Sequence, residues 1–126
     1  MAKEKQILSN IEEKFIKGDI FSDKCPSREA LKVLTSRWGL LILLSLYGKE
    51  SLRFSQLREK IQGISEKMLS QNLKKLEAYK LVSRFSHGVV PPVVEYSLTD
   101  YGIEFSQKAI ELTDWIEENI TNIYNR

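Results

Sequence analysis

Long polar side chains recur at helical spacing between Ser65 and Lys80, where Lys67, Gln71 and Lys74 are separated by four and three residues and Ser70 lies beside them. At about 100° per residue these positions share one face of a helix, while Leu69, Leu73 and Leu76, with Asn72 at their edge, share the opposite, inward face. The chemistry open to such a polar face is recognition of a polyanion. Glutamine can pair with two atoms of an adenine edge and lysine can donate to guanine, so Gln71 and Lys67 are the candidates for reading bases. Ser65, Lys74, Lys75 and, upstream, Arg53 are candidates for phosphate contacts, which position a protein on a duplex without specifying sequence. Met68 and Ser70 complete the candidate surface on this helix, and Arg84 and His87 extend it downstream. A solvated helix face with no partner would carry the same residue types, so the flanking elements have to decide.

Other chemistries have little to build from. His87 is the single histidine and Cys25 the single cysteine, which leaves no histidine-based acid/base pair, no paired-cysteine zinc site and no internal disulfide. Neither a Gly-rich phosphate loop nor a G-x-S-x-G elbow occurs, so no catalytic residue, metal or cofactor is expected. Cys25 lies just before a predicted helix start with Lys24 and Arg28 close by, features that favour a reactive thiolate. A buried small side chain fits the same position. Arg37 and Trp38 could edge a ligand pocket, but a tryptophan opening an apolar helix is expected to be structural, as are Tyr47, Phe54, Phe85 and Tyr96.

The elements that must position these residues follow from periodicity and caps. A helix is predicted from about Lys3 to Lys17, then a connection over Phe21 to Pro26, then a helix capped by Ser27 and running through Leu34. Apolar residues almost encircle the segment from Arg37 to Tyr47, which marks an enclosed central helix. Ser51 to Phe54 reads as a short strand, Ser55 as the cap of a helix to about Ile61, and Ser65 as the cap of the longer polar-faced helix to about Lys80. Two helices joined by the turn Gln62-Gly63-Ile64 form the helix-turn-helix pattern. Leu81–Phe85 and Val93–Leu98 alternate as two strands around a loop holding Pro91 and Pro92, a hairpin suited to be a wing. Thr99 can cap a last helix to about Tyr124, whose apolar positions Phe105, Ala109, Leu112, Ile116, Ile120 and Ile123 make a stripe longer than a small core can cover. Leu112, Trp115, Ile116, Ile120 and Ile123 are therefore expected at a homodimer interface.

Charge divides the same way. The segment from Arg53 to Arg84 holds eight basic residues against three acidic ones, a net of +5, whereas Asp100 to Arg126 holds two against six, a net of −4, within a chain whose total is +2. A central basic segment beside an acidic tail suits a polyanion-binding surface with a separate interface that does not meet it. With 126 residues and 42% apolar composition the chain is long enough for one real core. No signal-peptide core and no stretch of transmembrane length is present in the sequence, so a cytoplasmic protein with no membrane partner is expected. The fold class expected is mainly α with a small β-hairpin wing, a winged helix-turn-helix in a single domain. Within it, 1–24 would be the N-terminal helix and linker, 25–99 the DNA-binding core with its wing at about 82–98, and 100–126 the C-terminal dimerisation helix.

Several strings in this order are familiar together. Cys25-Pro26, Arg37-Trp38 leading into Leu40-Leu41-Ile42-Leu43, Arg53-Phe54-Ser55-Gln56-Leu57, Gly63-Ile64-Ser65-Glu66-Lys67-Met68-Leu69, Leu73-Lys74-Lys75-Leu76-Glu77, Pro91-Pro92-Val93-Val94-Glu95-Tyr96-Ser97-Leu98-Thr99 and Gly102 resemble the HxlR family of MarR-like winged-helix transcription regulators from Cys25 to Ile120. The resemblance implies a homodimer, assembled from terminal helices, that binds double-stranded operator DNA with its recognition helix in the major groove and its wing alongside. It also implies, for some members, a response to oxidants or electrophiles through the cysteine at the place of Cys25. One departure matters. Family members often carry arginine after the two prolines where this chain has Val93, so Arg84 or His87 would have to supply that wing contact. Two other readings stay open at this point: a winged helix used as a protein-interaction module, and a small-molecule sensor with a pocket between terminal helices and core.

Overall fold

The computed structural model describes residues 20–124. The helix expected from Lys3 to Lys17, with any share it has in an interface or pocket, lies outside the described residues. The chain divides into two compact units, Met1–Thr35 and Ser36–Arg126.

In the first unit, helix α1 spans Pro26–Leu34 and its N-cap is Cys25, not Ser27 as expected. Proline decides this: its φ is already helical and it lacks the N–H that the first turn cannot satisfy, so it takes the first helical position and draws Ser27 inside. The Cys25 carbonyl accepts from the Arg28 N–H at 3.1 Å, and Arg28 Nη1 reaches back to the Phe21 carbonyl at 3.0 Å.

The second unit is built around helix α2, Arg37–Leu46, whose N-cap Ser36 accepts from the Gly39 N–H at 3.2 Å. Ile42, Leu43 and Leu46 of α2 are buried, and the helix packs against every later helix and the middle strand of the sheet, as its all-round apolar character requires. Strand β1 is only Leu52–Arg53, and helix α3 follows at once as Phe54–Lys60. The expected strand to Phe54 and cap at Ser55 are thus displaced. Arg53 is still extended, paired with Glu95, and its N–H is taken by Gln56 Oε1 at 2.8 Å, so the helix starts directly after it.

The link from α3 to helix α4, Glu66–Ala78, turns at Gly63, whose φ of +90° disfavours any side chain. Ile61 and Ile64 bury on either side of it. Ser65 caps α4 as expected, accepting from Met68 N–H at 3.1 Å. The far end of α4 closes with Leu81 N–H on the Leu76 carbonyl at 3.0 Å and Lys80 N–H on the Glu77 carbonyl at 2.9 Å, Lys80 adopting a φ of 63°. Leu69, Leu73 and Leu76 are buried against the unit's interior, each fully buried side chain of this size contributing about 1.5–3 kcal/mol. Asn72, also on the inward side, donates to the Met68 carbonyl at 2.8 Å.

Strands β2, Val82–His87, and β3, Val93–Leu98, form an antiparallel hairpin, with β1 on the other edge of β3 in the order β1-β3-β2. Continued pairing carries β2 two residues past the expected end at Phe85, to His87 opposite Val93, so the loop shortens to 88–92, with a cis Val90–Pro91 bond. Helix α5, Asp100–Ile123, starts at the expected cap Thr99. Gly102 lies against the Leu81 backbone, where an added Cβ would overlap the Leu81 carbonyl oxygen. The result is a winged helix-turn-helix, mainly helical with a small three-stranded sheet.

Candidate nucleic-acid interface

Helix α4 is held from behind and left open in front. Its leucines are buried, and Lys67, Gln71, Lys74 and Lys75 on the other side are exposed, their side chains making no hydrogen bond or ion pair to any described residue. Ser70 is half-buried beside them and Met68 lies at the rim. Ser65 is exposed, its oxygen accepting the capping bond, which leaves its hydroxyl hydrogen for an outside acceptor. At the N-terminal turn of α4, which carries partial positive charge, Glu66 is engaged by Arg58 Nη1 at 2.8 Å, an ion pair that ties α3 to α4 across the helix-turn-helix. The turn is backed by Trp38, half-buried under the Arg37 guanidinium at 4.2 Å from the ring centroid, and its Cη2 would lie 3.9 Å from a Cβ at Gly63. Trp38 is thus structural, as expected.

The sheet register separates the wing candidates. Residues directly opposite in an antiparallel pair share a face, and faces alternate along each strand. One face carries Arg53, Glu95, Phe85, His87 and Val93; the other carries Leu52, Tyr96, Arg84 and, at the base, the buried Val82. His87 is therefore the direct partner of Val93 across the hairpin, whereas the exposed Arg84 points from the opposite side of it. Phe85 corrects the expectation that it is a core residue: it is 60% exposed, because its pairing with Glu95 turns it to the outer face. Tyr47, Phe54 and Tyr96 are half-buried, in keeping with structural roles.

Residues that periodicity did not single out organise this outer face. His87 Nε2 lies 2.7 Å from Glu95 Oε2, and the His87 ring meets the edge of Phe85 at 4.8 Å between centroids. The hydrogen bond from His87 holds the Glu95 carboxyl below its ordinary value against the opposing effect of desolvation, with a Ser51 hydrogen bond and the charges of His87 and Arg53 adding to it. Thr99 is the other. Its hydroxyl donates to the Lys80 carbonyl at 2.6 Å and accepts from Gly102 N–H at 3.1 Å, joining the end of α4, the exit of β3 and the start of α5.

The apolar stripe of α5 is not used by the described fold beyond its first turns. Gly102, Ser106 and Ala109 are its buried positions, and from Leu112 onward the large side chains are open, Trp115 at 53% and Ile116 at 40%, with Leu112, Ile120 and Ile123 comparable. Cys25 is a free thiol and is buried. No helix among the described residues is long and apolar enough to cross a membrane.

Comparison with known proteins agrees with this geometry. Residues 33–124 match the HxlR-like helix-turn-helix family. A protein of Escherichia coli strain K12, described as the uncharacterised helix-turn-helix-type transcriptional regulator YtfH, is 52% identical over 106 residues, covering 84% of this chain and 83% of its own. The structure of a protein from Salmonella typhimurium described as transcriptional regulator YtfH superposes with a TM-score of 0.77 at 52% identity, covering 84% of this chain and 94% of that one. The redox regulator HypR in its oxidised form superposes with a TM-score of 0.67 at 32% identity, covering 75% of this chain and 97% of that one. The open face of α4, the wing beside it and these matches lead to one conclusion: the chain belongs to the HxlR-like helix-turn-helix family of transcriptional regulators and has their DNA-binding winged fold.

Proposed function

We propose that the chain is a sequence-specific repressor that binds a two-fold-symmetric operator as a homodimer, with α4 in the major groove and the β2–β3 wing alongside. The observation that carries this reading is the unpaired, exposed row Lys67, Gln71 and Lys74 on a helix whose other side is locked by buried leucines. Gln71 and Lys67 are assigned to base edges, with Met68 and Ser70 at the margins of the groove. Ser65, Lys74, Lys75 and Arg53 are assigned to phosphates, and His87 and Arg84 to the backbone beside the wing. Leu112, Trp115, Ile116, Ile120 and Ile123 are assigned to the dimer interface, and the divisions 1–24, 25–99 and 100–126 to linker, DNA-binding core and dimerisation helix. Repression needs only that the dimer occupy a promoter, and the cytoplasm is where such a target would be met. Oxidants are the proposed inducer class, acting at Cys25. Support for that part comes from the likeness to HypR, named as a redox regulator, and from the free thiol at the start of α1.

Selection of preferred sequences from a random duplex pool tests the reading. Wild type is expected to enrich a two-fold-symmetric sequence with half-sites separated by roughly 10 base pairs. Gln71→Ala should relax one position per half-site by about 1–3 kcal/mol of discrimination. Lys75→Ala should weaken all duplexes alike and lower the salt slope by about 1 per contact. Enrichment of no symmetric sequence, or unchanged preferences in Gln71→Ala, refutes the assignment of this face.

A further inference from the structure

The outer face of the wing sheet has an acidic centre among the basic residues assigned to DNA. Glu95 lies on the middle strand, with Arg53 directly across on β1 and Phe85 directly across on β2. His87 Nε2 meets its carboxylate at 2.7 Å. Residues of all three strands therefore meet around one carboxylate, and both Arg53 and His87 beside it are candidate DNA contacts. An ionised carboxylate only accepts, so the His87 Nε2 carries the hydrogen and the ring is fixed between Glu95 and the edge of Phe85. The arrangement is built and not incidental: Glu95 is half-buried on a paired strand, which fixes its place relative to Arg53 and His87.

We propose that Glu95 is a positioning and specificity residue for DNA recognition, fixing His87 by a hydrogen bond and attracting Arg53 by charge across the sheet, while its negative charge opposes phosphate contacts made out of register. This rests on the reading of α4 and the wing as the DNA-binding surface. A carboxylate so placed repels the backbone of any duplex, a general penalty that applies to every sequence. It also holds the His87 ring, and draws the Arg53 charge, where a correctly seated duplex can use them, a gain that applies only to the matched site. Both effects raise the ratio of matched to unmatched binding, and specificity is that ratio.

The test compares affinity for the duplex that wild type enriches from a random pool with affinity for a scrambled duplex of equal composition, over several salt concentrations. One unit charge about 6 Å from a phosphate in water changes affinity roughly threefold. Glu95→Gln, close in shape but uncharged, is expected to bind the scrambled duplex roughly threefold more tightly per protomer. The enriched duplex should gain less, so that the ratio falls. Glu95→Asp, which keeps the charge, should retain wild-type affinity for the scrambled duplex, and in an Arg53→Gln background the effect of Glu95→Gln should shrink. The inference is overturned if Glu95→Gln leaves the ratio unchanged, or if Glu95→Asp loosens discrimination as much as Glu95→Gln. It is overturned equally if both affinities fall together with the thermal midpoint, the mark of a purely structural residue. Should wild type itself enrich nothing, the reading of the DNA-binding surface fails and takes this inference with it; enrichment with an unchanged ratio in Glu95→Gln defeats the inference alone.

Discussion

Replacing Thr99 by valine removes one oxygen and almost no volume, at the point where α4, the wing and the last helix meet. The lost hydroxyl makes two contacts: it donates to the Lys80 carbonyl at 2.6 Å and accepts from the Gly102 N–H at 3.1 Å. The second is the N-cap of α5, and removing such a cap costs about 1 kcal/mol. The first is an ordinary hydrogen bond whose net worth is about 1 kcal/mol. The backbone bond from Thr99 N–H to the Leu81 carbonyl, 3.0 Å, survives the change. Thr99→Val is therefore expected to lose about 2 kcal/mol, the sum of those two, which for a chain of this size lowers the thermal midpoint by roughly 5–10 °C. Equilibrium urea unfolding at one fixed protein concentration measures it, because the apparent stability of the proposed dimer would depend on concentration. Thr99→Ser keeps the oxygen and should stay close to wild type. Valine within about 0.5 kcal/mol of wild type, or serine as damaging as valine, would refute the assignment of the loss to these two bonds.

Gly102→Ala should cost at least about 3 kcal/mol in urea unfolding, because its Cβ would overlap the Leu81 carbonyl oxygen, backbone that no side-chain rotation can relieve; a shift under about 1 kcal/mol contradicts that packing. Ile116→Glu would place a charge on the open stripe of α5 and should give folded monomers by sedimentation, whereas a folded, fully dimeric variant removes the proposed interface. Cys25→Ser should bind DNA normally but lose any oxidant-induced release, and wild-type binding that ignores thiol oxidants ends the sensor proposal. Glu95 has its folded-state pKa held below 4.5, so its contribution to stability is present above that value and is lost as pH falls through the lowered one. The stability gap between wild type and Glu95→Gln should accordingly close in acid, and a gap constant from pH 7 to about 3 excludes this linkage.

What could be read from the chain alone was whatever acts within a few residues. Ser65 and Thr99 were identifiable as caps because the bond each makes is to an N–H three residues on. The buried side of α4 was readable because its leucines repeat at the helical period, and the turn between α3 and α4 because Gly63 supplies a positive φ. Even locally, a serine near a helix start is not always its cap. Ser27 and Ser55 both sit inside helices that begin earlier, one drawn forward by Pro26 and the other by the end of strand pairing at Arg53.

Tertiary structure alone decided which side of the wing each residue takes and which charges meet there. A strand's alternation says that Phe85 and His87 share a face, but not whether that face looks inward, since a shift of one residue in register reverses every side chain. The pairing of Arg53, Phe85 and His87 around Glu95, and of Thr99 with Lys80 and Gly102, joins residues from separate elements. The physical reason is that caps and helical stripes are fixed by bonds inside one turn of chain, whereas sheet register and shared carboxylates are fixed by packing the finished elements against one another.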